Sequence, residues 1–144
     1  MVWGSNSTRV LVTLDPRLQE WVTRVRDEVT DISLLAGYRS EEVQNQLYNS
    51  GMSKLRYPES KHNTSPSLAV DLQPYPRPKQ EAKLWGALGM IAGRGEWIAN
   101  EVGITLRWGG DWNMDGDLTN QSFDDLFHWE IYKDSPIRKY CECV

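Results

Sequence analysis

His62 and His128 are the only histidines in this chain of 144 residues, and each stands among carboxylates. The first lies in Ser60-Lys61-His62-Asn63-Thr64-Ser65-Pro66-Ser67-Leu68-Ala69-Val70-Asp71, the second in Asp125-Leu126-Phe127-His128-Trp129-Glu130. An ion shared by both would require a fold that closes the sixty-six positions between them. Together the two segments offer two imidazoles, one carboxylate ligand and one carboxylate base. Zinc hydrolysis uses that set. Three protein ligands leave a fourth position for water, whose pKa the metal lowers toward about 7, and a nearby carboxylate takes its proton. On spacing alone, two ordinary histidines beside stray aspartates remain the alternative.

A chain of this length is expected to form one catalytic domain, 1–144, with its core at about 15–132 and a tail from about 133. Hydrophobic residues make up 40% and charged residues 25%, which is ordinary for a soluble globular protein. The net charge is −4 and the pI about 5.2, so no basic patch argues for nucleic acid. No apolar run approaches the roughly 20 residues of a membrane span. Met1 to Thr13 is polar and lacks the apolar stretch of a signal peptide. Synthesis is therefore expected in the cytoplasm, with any target beyond the membrane reached by another route. Cys141 and Cys143 fall in the last four residues and receive no catalytic role. The seven tryptophans are read as core or core-edge packing.

Asp15-Pro16 reads as an N-cap followed by proline at the first helical position. Leu18, Trp21, Val22, Val25 and Val29 recur at helical spacing, which predicts a helix over 16–29. Ile32 to Ala36 reads as a strand. Ser40 caps a helix at about 41–50, closed by Gly51. Residues 52–66 read as loop, and Leu68 to Leu72 as a buried strand. A helix over about 79–101 follows, with close packing or a break expected near Gly93-Arg94-Gly95. Ile104 to Trp108 is a strand, a Gly/Asp-rich loop runs to about 124, and His128 to Tyr132 is the last strand. The expectation is an α+β fold with a small, mainly antiparallel sheet and helices packed on it.

In extended chain, Ser60 and His62 share a face, as do His128 and Glu130. A loop between His62 and Asp71 lets them converge on one ion. A bend after Asp125 lets it face that centre without being a ligand.

Several pieces in order then resemble one family. They are Gly37-Tyr38-Arg39-Ser40 with Gln44, Ser60-Lys61-His62, Ala69-Val70-Asp71, Arg107-Trp108-Gly109-Gly110-Asp111-Trp112 and Asp125-Leu126-Phe127-His128-Trp129-Glu130. Over about residues 15–132 the chain is similar to the zinc D-alanyl-D-alanine carboxypeptidases and phage L-alanyl-D-glutamate endopeptidases, which share the hedgehog/D,D-peptidase fold. The resemblance implies zinc on His62, Asp71 and His128, with Asp125 as general base. It implies that Arg39 stabilises the developing oxyanion, as preorganised charge does in a dry cleft. Ser60, Gln44 and Glu130 would touch substrate or support the site, Glu130 by orienting an imidazole. His62 and Asp71 stand nine positions apart, a longer interval than is common in the family.

Asp111-Trp112-Asn113-Met114-Asp115-Gly116-Asp117 fits the opening of a calcium loop. Asp111, Asn113, Asp115 and Asp117 would be ligands. Ser122 stands where the closing glutamate belongs, with Asp124 as a substitute. Bound calcium is therefore a second expectation, against a solvated turn.

The resemblance implies a zinc metallopeptidase of the phage endolysin type, cutting the L-alanyl-D-glutamate bond of bacterial peptidoglycan stem peptides. A monomer is expected, made in the host cytoplasm and acting on the wall after release by another protein. The alternatives are a D-Ala-D-Ala carboxypeptidase and a non-catalytic, metal-stabilised binding module. Asp125 and Arg39 speak against the module, because a structural zinc needs neither.

Overall fold

Alternation of period two organises the centre of the molecule. Val70 and Leu72 flank Asp71, Trp129 and Ile131 interleave with His128 and Glu130, and Leu106 and Trp108 flank Arg107. Successive side chains of a strand face opposite ways. One face of a sheet built from these segments is therefore apolar, and the other carries Asp71, His128, Glu130 and Arg107.

The computed structural model describes residues 2–136 and contains that sheet. Strands β1 (Ile32–Ala36), β2 (Ala69–Pro74), β3 (Thr105–Trp108) and β4 (His128–Lys133) pair in the order β1-β2-β4-β3, each pair antiparallel. β4, the last strand among the described residues, thus lies inside the sheet. Asp71 is the cross-strand partner of His128, and Arg107 that of Glu130.

Helices α2 (Pro16–Glu28) and α4 (Glu81–Val102) bury their apolar sides with the apolar face of the sheet. Asp15 caps α2 by accepting the Arg17 backbone N–H at 2.9 Å, with Pro16 at the first turn. Leu18, Trp21, Val22 and Val25 are fully buried. Trp21 tilts against Trp129, which stacks on Trp108. Truncating Trp21 to alanine is expected to cost about 3–5 kcal/mol. The glycines of α4 do not break it. Gly95 allows a close approach instead: a Cβ there would stand 2.8 Å from Trp21 Cζ2, and the Trp21 indole N–H donates to the Gly95 carbonyl at 2.8 Å. Gly103, at φ 95°, ends the helix in the left-handed region.

Helix α3 (Glu41–Asn49) begins at Ser40, whose side chain accepts the Val43 N–H. Helix α1 (Ser5–Leu11) has no counterpart in the sequence reading. Seven residues without a side-chain cap give too little local signal. Tertiary contact holds α1: Val10 and Leu11 pack on the core, and Ser7 Oγ accepts the Leu34 N–H of β1 at 3.1 Å. Among the described residues, no helix is long and apolar enough to cross a membrane. Cys141 and Cys143 lie outside the described residues.

Candidate metal centre

Three elements deliver the site. Asp71 and His128 sit opposite each other on β2 and β4. His62 comes from a 3-10 turn, Lys61–Asn63, inside the segment read as plain loop. Ser60 caps that turn: its Oγ accepts the His62 N–H at 3.2 Å, while the Asn63 carboxamide oxygen accepts the Ser60 N–H at 3.1 Å. The His62 carbonyl accepts the Arg39 N–H at 2.7 Å, and Asn63 Nδ2 donates to the Arg39 carbonyl at 3.1 Å. Gln44 is fully buried and donates to Ser53 Oγ and the Leu55 carbonyl. Ser60 and Gln44 are thus scaffold residues that fix His62 and the loop before it.

His62 Nε2, His128 Nδ1 and Asp71 Oδ1 form a triangle with three sides of 3.2 Å. The other ring nitrogens are committed elsewhere. His62 Nδ1 lies 2.6 Å from the Gly37 carbonyl, which can only accept, so Nδ1 carries the proton. His128 Nε2 lies 2.9 Å from Glu130 Oε1 and donates to it in the same way. Neutral imidazoles with those partners turn lone pairs toward Asp71 Oδ1. Three electron-rich atoms then face one point, an arrangement that a cation stabilises. Ligands about 2.0–2.1 Å from a tetrahedral zinc stand about 3.3–3.4 Å apart, close to the observed sides. The residues present fit a metal. Among the described residues they are also the only group of three or more His, Cys, Asp or Glu placed to hold one.

Burial depresses the His128 pKa, but hydrogen bonds to Asp71 and Glu130 outweigh it and push the value up to about 9. Burial raises the Asp71 carboxyl, and the bonds from His128 and His62 pull it well below the ordinary range. Arg39 holds the other oxygen of this ligand, donating to Asp71 Oδ2 at 2.7 Å. Sequence reasoning did not supply that partner.

Asp125 approaches from the turn before β4. Its N–H donates to the Gly109 carbonyl at 2.9 Å, and its own carbonyl accepts the His128 N–H at 3.1 Å. A Cβ at position 109 would stand 2.0 Å from the Asp125 carbonyl oxygen, so only glycine permits this approach. Burial, then the charge of Asp71, raises the Asp125 carboxyl above its ordinary value, while His128, Arg39 and His62 pull it down. Glu130, 5% exposed, joins His128 to Arg107, whose guanidinium donates to Oε2 at 3.0 Å. Trp112 also belongs here: its ring lies 5.4 Å from that of His128. The motif Arg107 to Trp112 held the signal, but its cross-strand partner is not visible in sequence.

The calcium expectation gains no support among the described residues. Asp111, Asp115, Asp117 and Asp124 form no group placed to hold an ion. Asp111 accepts the N–H groups of Asp115 and Gly116, Asp117 accepts the Thr119 N–H, and Asp115 accepts the Asp117 N–H and the amides of Asn113 and Asn120. Asp124 accepts from Gln121. These oxygens build turns.

Residues 1–131 match the family model described as phage L-alanyl-D-glutamate peptidase. The chain belongs to that family. The L-alanyl-D-glutamate peptidase of Escherichia phage T5 is 33% identical over 121 residues, covering 83% of this chain and 87% of that one. Among solved structures, the L-Ala D-Glu endopeptidase ChiX of Serratia marcescens superposes with a TM-score of 0.65 at 24% identity, covering 94% of this peptidase and 90% of that chain. The LD-carboxypeptidase LdcB gives 0.52 at 16% identity, over 90% and 75%. These two likenesses concern the fold, which is the hedgehog/D,D-peptidase type expected from the sequence.

Proposed function

We propose that this peptidase hydrolyses the L-alanyl-D-glutamate bond of bacterial peptidoglycan stem peptides, with zinc on His62, Asp71 and His128 and Asp125 as the general base. The observation that carries the reading is the triangle of three ligand atoms, each other imidazole nitrogen being tied to an acceptor. Bound zinc supplies Lewis-acid polarisation of the scissile carbonyl and water made acidic enough to react near neutral pH. Asp125 takes a proton from the attacking water and returns it to the leaving amine nitrogen of D-glutamate. Burial favours the return, because a carboxyl with a raised pKa is easily protonated. Arg39 keeps Asp71 aimed at the metal and offers its positive charge to the carbonyl oxygen as that oxygen becomes anionic. Glu130 holds the His128 tautomer.

The donor set supports zinc over a harder cation, since two imidazoles and one carboxylate suit it. The reading extends to the setting: a monomer made in the host cytoplasm, reaching the wall once another protein has opened the membrane. The test is digestion of purified peptidoglycan with zinc-loaded protein and mass spectrometry of the products. New D-glutamate amino termini are expected. Release of free D-alanine alone would replace this reading with a carboxypeptidase.

A further inference from the structure

Arg107 is not among the residues the proposed chemistry uses, yet it touches two of the groups that enclose His128. Its guanidinium donates to Glu130 Oε2 at 3.0 Å, while Glu130 Oε1 meets His128 Nε2 at 2.9 Å. The same guanidinium lies 5.5 Å from the Trp112 ring centroid, and that ring lies 5.4 Å from the imidazole of His128. The contacts close a circuit of four side chains: His128, Glu130, Arg107 and Trp112. Tyr132 covers the guanidinium at 4.8 Å, and Arg107 Nε is buried without a hydrogen-bond partner. The partly buried charge thus has two rings and a carboxylate as neighbours. Lys61 is the other cation at Glu130, with Nζ 4.0 Å from Oε2.

We propose that Arg107 is a positioning residue that holds the His128 imidazole from two sides, through Glu130 on its edge and Trp112 on its face, and so ties the 111–124 loop to the metal centre. The inference rests on the reading of His62, Asp71 and His128 as that centre. Fixing Oε2 stops the Glu130 carboxylate from rotating, which keeps Oε1 on the imidazole N–H. The indole, tilted 34° against the imidazole, restricts that ring about its remaining torsion. A planar guanidinium serves both ends because it donates in its plane and stacks through its face; an ammonium does only the first. Trp112 carries the link into the loop. Its backbone N–H donates to Gln121 Oε1 at 2.9 Å, and its ring stacks on Phe123.

The test compares the full-length parent with Arg107→Met, Arg107→Lys and, as a surface control, Arg24→Met, which removes exposed pairs with Glu28 and Glu101. Three readouts apply: zinc affinity by chelator competition, the visible spectrum of the cobalt-substituted protein, and kcat and KM on a soluble stem peptide. Arg107→Met should lower zinc affinity about 10–100-fold, shift the cobalt bands and reduce kcat more than it raises KM. Arg107→Lys should fall between it and the parent, since the charge at Glu130 returns and the stack does not. Arg24→Met should match the parent. Parent-like affinity and spectrum in Arg107→Met would overturn the proposal, and an Arg107→Lys protein equal to the parent would overturn the two-sided hold. Should Arg107→Met fail to fold by circular dichroism, the lysine variant decides. If the parent binds zinc and the variants shift it as stated, but no protein cuts peptide, the peptidase reading fails and the role of Arg107 stands.

Discussion

The raised carboxyl of Asp125 and the depressed carboxyl of Asp71 are products of one neighbourhood. Asp71 sits among hydrogen bonds that favour its charge, and Asp125 sits partly buried beside that charge. In the proposed reaction, that difference separates a ligand from a base. A general base must be ionised, so activity is present above its pKa and lost as pH falls through it. With the Asp125 value raised, the acid limb of kcat/KM should lie above the ordinary aspartate value of 3.8. Asp125→Asn should keep its zinc and lose about 10²–10⁴-fold in turnover. Metal analysis beside the rate assay checks both; parent-like turnover would move the role to another group. Arg39→Lys should lose kcat although charge is kept, because one ammonium cannot hold Asp71 Oδ2 and reach the carbonyl oxygen together. A parent-like kcat would confine Arg39 to structure. The group placed to hold a metal was legible because histidine is scarce here and each carries carboxylates at motif spacing. The Arg39–Asp71 and Trp112–His128 contacts were not, since they span thirty-two and sixteen positions that only the fold closes.

Capping and alternation decide what could be read of the elements. Asp15-Pro16 announced α2, and the apolar run from Leu68 to Leu72 announced β2 as a buried strand, without showing that Asp71 turns to its other face. Helix α1 lacked such a signal and depends on β1 for its place. The acidic loop shows how one spacing serves two ends. Aspartates spaced for a cation are also spaced to accept backbone N–H groups two to five residues on, and those bonds formed. At the start of α2, Arg17 holds the Asp15 carboxyl below its ordinary value against the opposing effect of burial. Stability from a depressed carboxyl is present above the unfolded pKa and is lost as pH falls through the folded value. Asp15→Ala should therefore lower stability by about 0.5–2 kcal/mol at pH 7, and by less below the acid transition. Thermal melts at the two pH values measure this; an equal loss at both would assign the effect to packing.

Across the whole molecule, the metal centre joins parts of the chain that the sheet alone brings together. Ligand binding to the folded state alone stabilises it by about 2.7 kcal/mol at a hundredfold excess over Kd. Chelation should therefore lower the melting temperature as well as abolish hydrolysis, and added zinc should restore both. An unchanged melt would mean that the three ligands bind no ion in the folded protein. The strand order has a consequence for biosynthesis. Because β4 lies between β2 and β3, a ribosome that has translated through Trp112 has made three strands with no hydrogen-bonded path from β2 to β3. Two of the three candidate metal ligands, Asp71 and His128, meet only after β4 is inserted between its neighbours. Premature termination before His128 should yield a product with no cooperative melt and no zinc uptake. An enzyme assembled in this order gains its hydrolytic capacity only once β4 has been made and inserted.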